Sequence, residues 1–349
     1  MSDQALPPIR VQLFSDTKTR PSEAMLDAMT RAETGDEQAG EDPTTNALCD
    51  RVAEMLGKEA ALFLPSGTMC NQIALAVHCR PGDEVICERT SHIVNFEVGG
   101  AAAIAGAMIN AIDGTRGMFD AGQLTSALRP ALRHTPKARL VAVEQTSNLG
   151  GGSVWPLTRL TEVSDAARDA GLAVHMDGAR LLNAVVASNV SARDYAAITD
   201  SVWIDLSKGL GCPVGAVMAG AEDFIEAAWF WKQRLGGAMR QSGVLAAAGL
   251  YALDNNVERL AEDHANARRL AELAAKIPGI EIDVASVETN ILFLDVTGTG
   301  IPAPEISDRL AAKGIRMGAM GPDKIRAVTH LDVDRAGVED AAEALRDVL

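Results

Sequence analysis

A chain of 349 residues has room for about two domains, and its hydrophobic (47%) and charged (23%) fractions exclude disordered, collagen-like and coiled-coil classes. With 47 acidic against 32 basic side chains the net charge is −15, which disfavours nucleic acid and anionic membrane as partners and leaves small-molecule substrates. Five cysteines without a C-x-x-C pair argue against a disulfide framework or a zinc ribbon, so a reducing cytoplasmic setting and no metal site are expected. The start of the chain shows no basic region followed by an apolar stretch, and the Ala/Gly-rich run 99–112 is too short to span a bilayer.

After a polar arm, Pro21 opens an apolar-periodic stretch (Ala24, Met25, Ala28, Met29) that predicts a helix. Residues 35–46, GDEQAGEDPTTN, predict a loop, and a second helix then runs to about Gly57. Short apolar runs follow at 60–64, 84–87, 140–143, 173–176 and 201–206, separated by helix-length stretches, the pattern of a parallel sheet with crossover helices. Residues 211–218 predict one more strand, antiparallel to its predecessor because only a short turn joins them. A long helical region at 221–277 leads into a smaller α+β part, with strands at 281–283, 290–295 and 325–330 and helices at 303–313 and 335–348. The expected division is an N-terminal arm (1–20), a large domain (21–250) and a small C-terminal domain (251–349).

Three stretches carry chemistry. Ser66-Gly67-Thr68 sits between a strand and a helix, where backbone N–H groups and the helix dipole stabilise a phosphate; the same turn also serves as an ordinary N-cap. His175-Met176-Asp177-Gly178-Ala179-Arg180 ends a strand in a carboxylate, and a buried Asp needs a cationic partner, either a ligand or Arg180 itself through an internal salt bridge. Ser207-Lys208-Gly209 ends a strand in a lysine whose amine can form a Schiff base, although a solvated loop lysine is the commoner state. Phosphate turn, strand-end Asp and strand-end Lys together match pyridoxal 5'-phosphate, which needs a phosphate cup, a carboxylate at the pyridinium nitrogen and an amine at the aldehyde.

With these residues the sequence resembles the low-specificity L-threonine aldolases, within the β-eliminating lyase and threonine aldolase group of fold-type I pyridoxal phosphate enzymes. The resemblance spans nearly the whole chain. It is carried by Ser15-Asp16-Thr17 with Thr19-Arg20-Pro21, Gly40-Glu41-Asp42-Pro43, Leu64-Pro65-Ser66-Gly67-Thr68-Met69, His92 ahead of a Gly-Gly-Ala segment, the Asp177 and Lys208 motifs, Gly236-Gly237-Ala238-Met239-Arg240-Gln241, and Arg326-Ala327-Val328-Thr329-His330. It implies an α/β, aspartate-aminotransferase-like fold with a mostly parallel seven-stranded sheet and a smaller C-terminal α+β domain. It also implies a carbon–carbon lyase that cleaves L-threonine or L-allo-threonine to glycine and acetaldehyde. Another β-hydroxy-α-amino acid of the phenylserine or hydroxyaspartate type, β-elimination, and an idle binding relative are the alternatives.

By the same resemblance Lys208 bonds the cofactor aldehyde, Asp177 pairs with the ring nitrogen and His92 stacks on the ring. Ser66, Gly67, Thr68, Arg180 and Ser207 complete the cofactor site, with Arg240 reaching the phosphate from a neighbouring subunit. Ser15, Arg180 and Arg326 would hold the substrate carboxylate. His92 and His134 are candidate bases for the hydroxyl proton, directly or through water. A site completed across an interface implies a homo-oligomer, dimer or tetramer. Phe14, Ala39, Val94, Asn95, Phe96, Gln145, Ser147 and Gln233 depart from the family pattern, so they are expected to alter the pocket; Lys232 and Arg234 flank Gln233.

Overall fold

A computed structural model describes residues 7–349. Its centre is a seven-stranded sheet assembled from β2 (Ala60–Leu64), β3 (Glu84–Glu88), β4 (Met108–Ile112), β5 (Ala138–Glu144), β6 (Ala173–Gly178), β7 (Ser201–Asp205) and β8 (Ala216–Gly220) in the order β2-β8-β7-β6-β5-β3-β4. Only β8 runs against its neighbours, on both sides, as the short β7–β8 connection requires. The central strands read as continuous apolar runs because helices cover both faces, and each fully buried aliphatic side chain contributes about 1.5–3 kcal/mol. The expected seven-stranded, mostly parallel sheet is therefore present, with β4 its one strand not anticipated in the sequence.

Helix boundaries follow their caps. Asp42 accepts from the Thr45 N–H and Pro43 takes the first helical position, so the helix Pro43–Leu56 begins inside the stretch expected to be loop, and Gly57 ends it at φ 63°. The expected long helical region is three helices, Glu222–Arg234, Gly243–Asn255 and Leu260–Ala274. The first break contains Gly236 at φ 75°.

A second apolar core gathers Val11 and Leu13 with residues from Ala267 onward. There β9 (Ile291–Asp295), β11 (Gly318–Ala319) and β12 (Lys324–Val328) form an antiparallel sheet, while β1 (Val11–Gln12) pairs in parallel with β10 (Ile315–Arg316). The strand expected at 281–283 is reduced to a single bridge between Glu281 and Asp295, because Asp283 caps a short helical turn, Val284–Ser286. Among the described residues no helix is long and apolar enough to cross a membrane.

Candidate active site

The carboxyl ends of the central strands converge on one cleft of about 280 Å³, lined by the 65–68 turn, His92, Glu144, Asn148, Asp177, Arg180, Trp203 and the 205–208 turn. A larger cleft of about 760 Å³ lies between the 149–151 turn and the small antiparallel sheet and holds none of the expected site residues. Register explains the smaller cleft: Glu144 on β5 sits opposite Asp177 on β6, which in turn faces Trp203 on β7. Crossover connections leave these ends uncovered, so polar side chains can collect where a ligand enters.

Ser66 caps the helix Gly67–His78 by accepting from the Met69 N–H at 3.2 Å, and its carbonyl accepts from Cys70. The N–H groups of Gly67 and Thr68 have no acceptor among the described residues and belong to a helix N-terminus at the cleft, the chemistry an oxyanion needs. Gly67 answers a second demand: a Cβ there would stand 2.1 Å from the Trp203 ring, so only glycine lets the helix start against the indole.

Asp177 is buried, receives Asn71 Nδ2 at 2.8 Å and the Ala179 N–H at 3.0 Å, and does not pair with Arg180. The internal salt bridge weighed from the sequence is replaced by another. Arg180 donates Nε and Nη2 to Asp16 at 2.7 and 2.8 Å, and Asn290 Nδ2 reaches the same carboxylate at 3.0 Å. Burial pushes Asp177 up, and the nearby Lys208 and His92 charges with Asn71 offset that only in part. A cation at Asp177 would meet a carboxylate lacking a full counter-charge.

Lys208 is held at 2.9 Å by Asp205, whose other oxygen accepts the Ser207 N–H and hydroxyl. Lys208 also lies 5.6 Å from the centre of the Trp203 ring. His92 places Nδ1 2.8 Å from Glu97, and its backbone N–H donates to Glu144 at 2.7 Å. Its pKa is raised: burial lowers it, but the Glu97 hydrogen bond and the charges of Asp177, Glu97 and Glu144 prevail.

Arg326 donates to Asn148 Oδ1 at 2.9 Å and to the Phe14 carbonyl at 3.3 Å, while its buried Nε has no partner among the described residues. Burial and the like charge of Arg180 depress the Arg326 pKa, whereas Asp16 neutralises Arg180, so Arg326 is the guanidinium short of a counter-charge and suited to an anion. Ser15 is buried and engaged with the Thr17 hydroxyl and N–H, and Thr17, not Ser15, lines the cleft.

Two expected residues stand apart. Arg240 is exposed and paired with Asp36 at 2.9 Å. His134 is exposed in the turn that precedes β5, whereas the cleft lies beyond the other end of that seven-residue strand, roughly 20 Å away. Gln145 also does not face the cleft. It is buried with its amide on the Trp155 backbone, and Ser147 is buried beside Gly117. Lys232, beside Gln233, is fully buried against Glu37 and Trp229.

Sequence reasoning missed Asn71, Glu97, Glu144, Asn148 and Asp205, together with Asp16 as the partner of Arg180. Glu144 and Asp205 carried the same signal as Asp177, a carboxylate ending an apolar run. Asn71 interrupts the buried face Cys70–Leu75 of its helix, and a buried amide needs partners.

The Beta-eliminating lyase family model matches residues 12–297. The low-specificity L-threonine aldolase of Escherichia coli K12 is 42% identical over 340 residues, covering 97% of this chain and 99% of that protein. This chain belongs to that family. The low-specificity L-threonine aldolase 1 of Arabidopsis thaliana is 41% identical over 94% of this chain and 93% of its own length. Among solved structures, the threonine aldolase of Leishmania major superposes with a TM-score of 0.83 at 22% identity, covering 97% of this chain and all (100%) of that one. A putative L-allo-threonine aldolase from Listeria monocytogenes gives 0.80 at 22%, covering 98% and 97%. A serine palmitoyltransferase from Sphingomonas wittichii gives 0.77 at 17%, covering 97% and 87%; these likenesses fix the aminotransferase-like fold.

Proposed function

We propose that the protein is a pyridoxal 5'-phosphate-dependent aldolase that cleaves L-threonine and L-allo-threonine to glycine and acetaldehyde. The observation that carries this reading is the meeting, in one cleft, of Lys208, the under-compensated Asp177 and two acceptor-free N–H groups at Gly67 and Thr68. These are an amine, a carboxylate and an oxyanion cup, the set that the cofactor's aldehyde, ring nitrogen and phosphate demand. When bound, the cofactor supplies an electron sink for the carbanion left by breaking the Cα–Cβ bond.

The chain's residues do the rest. Arg180 and Arg326 hold the substrate carboxylate, with Asp16 fixing the Arg180 fork so that Nη1 stays available. Asp177 would face the cofactor's ring nitrogen and supply the counter-charge for a protonated ring. His92, held through Nδ1 by Glu97, keeps Nε2 for the β-hydroxyl proton, and loss of that proton drives scission to the aldehyde. His134 and Arg240 are proposed to serve a neighbouring copy, in a homo-oligomer whose site is completed at an interface. Residues 21–250 would hold the cofactor, 251–349 would close the cleft through Arg326, and a cytoplasmic enzyme is the setting proposed.

Purified, cofactor-loaded protein is assayed with L-threonine, L-allo-threonine and L-phenylserine for aldehyde and glycine. Stoichiometric aldehyde and glycine support the reading. A keto acid with ammonia would replace it by β-elimination, and no product with any of the three would refute it.

A further inference from the structure

The residue outside the expected machinery with the most complete set of contacts is Asn71. It is fully buried, and Oδ1 accepts Trp203 Nε1 at 2.8 Å; an indole only donates, so the amide orientation is fixed. Both hydrogens of Nδ2 are then spent on carboxylates, Asp177 Oδ2 at 2.8 Å and Glu97 Oε1 at 2.7 Å. The second lone pair of Oδ1 takes His175 Nε2 at 3.2 Å, so that nitrogen carries the hydrogen. His175 Nδ1 must accept from Ser201, at 2.8 Å, and Ser201 in turn accepts from His78 Nε2, also at 2.8 Å. Burial keeps both imidazoles neutral at ordinary pH, with pKa values down at about 3 and about 4. The donor direction of the whole chain, from the half-buried His78 to Asp177, thus follows from one indole N–H.

Glu97 is the second joint. Its Oε1 accepts from Asn71 and from His92 Nδ1, and its Oε2 accepts from Gln72. The carboxylate therefore selects the His92 tautomer and turns Nε2 into the only ring nitrogen available to a substrate.

We propose that Asn71 and Glu97 form a positioning unit that locks Asp177 and His92 together, Asn71 orienting both carboxylates and Glu97 fixing the His92 tautomer. The unit rests on the aldolase reading for the roles of Asp177 and His92, but its geometry can be tested without turnover. The charged groups facing His92 are Glu97 on its own loop, Glu144 on β5 and Asp177 on β6, with the cations Lys208 and Arg180 across the cleft.

The first variant is E97Q. Its amide oxygen still accepts from Asn71 and His92, and Gln72, whose buried Oε1 has no partner among the described residues, can turn to accept the new NH2. The second is N71D, the same shape without donors and with a third carboxylate. The probes are NMR titration of His92 in the cofactor-free protein, binding of pyridoxal phosphate followed by visible absorption, and kinetics on L-threonine. E97Q is expected to lower the His92 pKa by about one unit and kcat by at least about tenfold, leaving KM within about threefold. N71D is expected to weaken cofactor binding about tenfold or more, because crowded carboxylates retain a proton on Asp177. Circular dichroism and melting establish that each variant folds. A folded E97Q with an unchanged His92 titration overturns the proposal, as does a folded N71D with unchanged cofactor affinity; if N71D does not fold, E97Q decides. If the wild type cleaves no β-hydroxy amino acid, the functional reading fails while the His92 titration still judges the unit.

Discussion

Replacing Asp16 by alanine strands Arg180, which is only 6% exposed and hydrogen-bonded to Asp16 through two nitrogens. Breaking one side of a buried pair costs about 3–5 kcal/mol because the remaining charge is left without compensation. Unfolding entropy of about 2.1 cal/mol/K per residue over this length gives about 0.7 kcal/mol/K, so the melting temperature should fall by about 4–7 °C. The pH dependence carries a sign that can be checked. Burial works to raise the Asp16 pKa, but the charge and hydrogen bonds of Arg180, then Lys208 and Asn290, hold it far below the usual carboxylate range. Its stabilisation is therefore present above the unfolded carboxylate value of about 3.9 and lost as pH falls below it. Melting of wild type and D16A, cofactor-free, from neutral pH down to about 3 should show a constant gap that narrows only below about 4. KM for L-threonine should rise as well, since Arg180 loses its orientation. A melting temperature within about 1 °C of wild type together with an unchanged KM would refute the assignment of this pair.

Glu144 accepts two backbone N–H groups, from His92 and Asn148, yet burial and the Asp177 charge push it up to about 7. A raised carboxylate stabilises the fold below its unfolded value and loses that contribution as pH climbs through about 7, so stability against urea should fall between about pH 5 and 7, and that slope should flatten in E144Q. An identical slope in the variant would show that another group titrates. Gly67→Ala should cost about 1–3 kcal/mol and weaken cofactor binding, because the new Cβ meets the Trp203 ring; wild-type melting and affinity would disprove the close approach. Arg326→Ala should raise KM by about 10–100-fold with little change in kcat, the loss of one charge-assisted contact. A change confined to subunit assembly, seen by light scattering, would make its role structural.

The central strands were legible because burial on both faces leaves an apolar run, as at Val141–Val143 on β5 and Val202–Ile204 on β7. β4 escaped because it is an edge strand paired only with β3, so Met108 to Ala111 are half-buried or exposed and merge with the preceding Ala/Gly-rich stretch. The start of the helix at Pro43 was readable from Asp42-Pro43, but loop composition on both sides concealed it. At the site, Asp177, Lys208 and Ser66 announced themselves through strand ends and a cap. Their partners did not, since Asp16 meets Arg180 from 164 positions away and Asn71 meets Asp177 from 106, pairings that only the folded sheet creates. His134 and Arg240 are expected from the resemblance, yet within one chain His134 sits ahead of the amino end of β5 and Arg240 is exposed beside Asp36, and neither lines the cleft.

The most direct test of the account is reductive trapping: the protein incubated with pyridoxal phosphate is treated with borohydride, digested and mapped by mass spectrometry. The account predicts one pyridoxyl-modified residue, Lys208, and none in K208A. Modification at another lysine, or none in protein that remains folded, would contradict it.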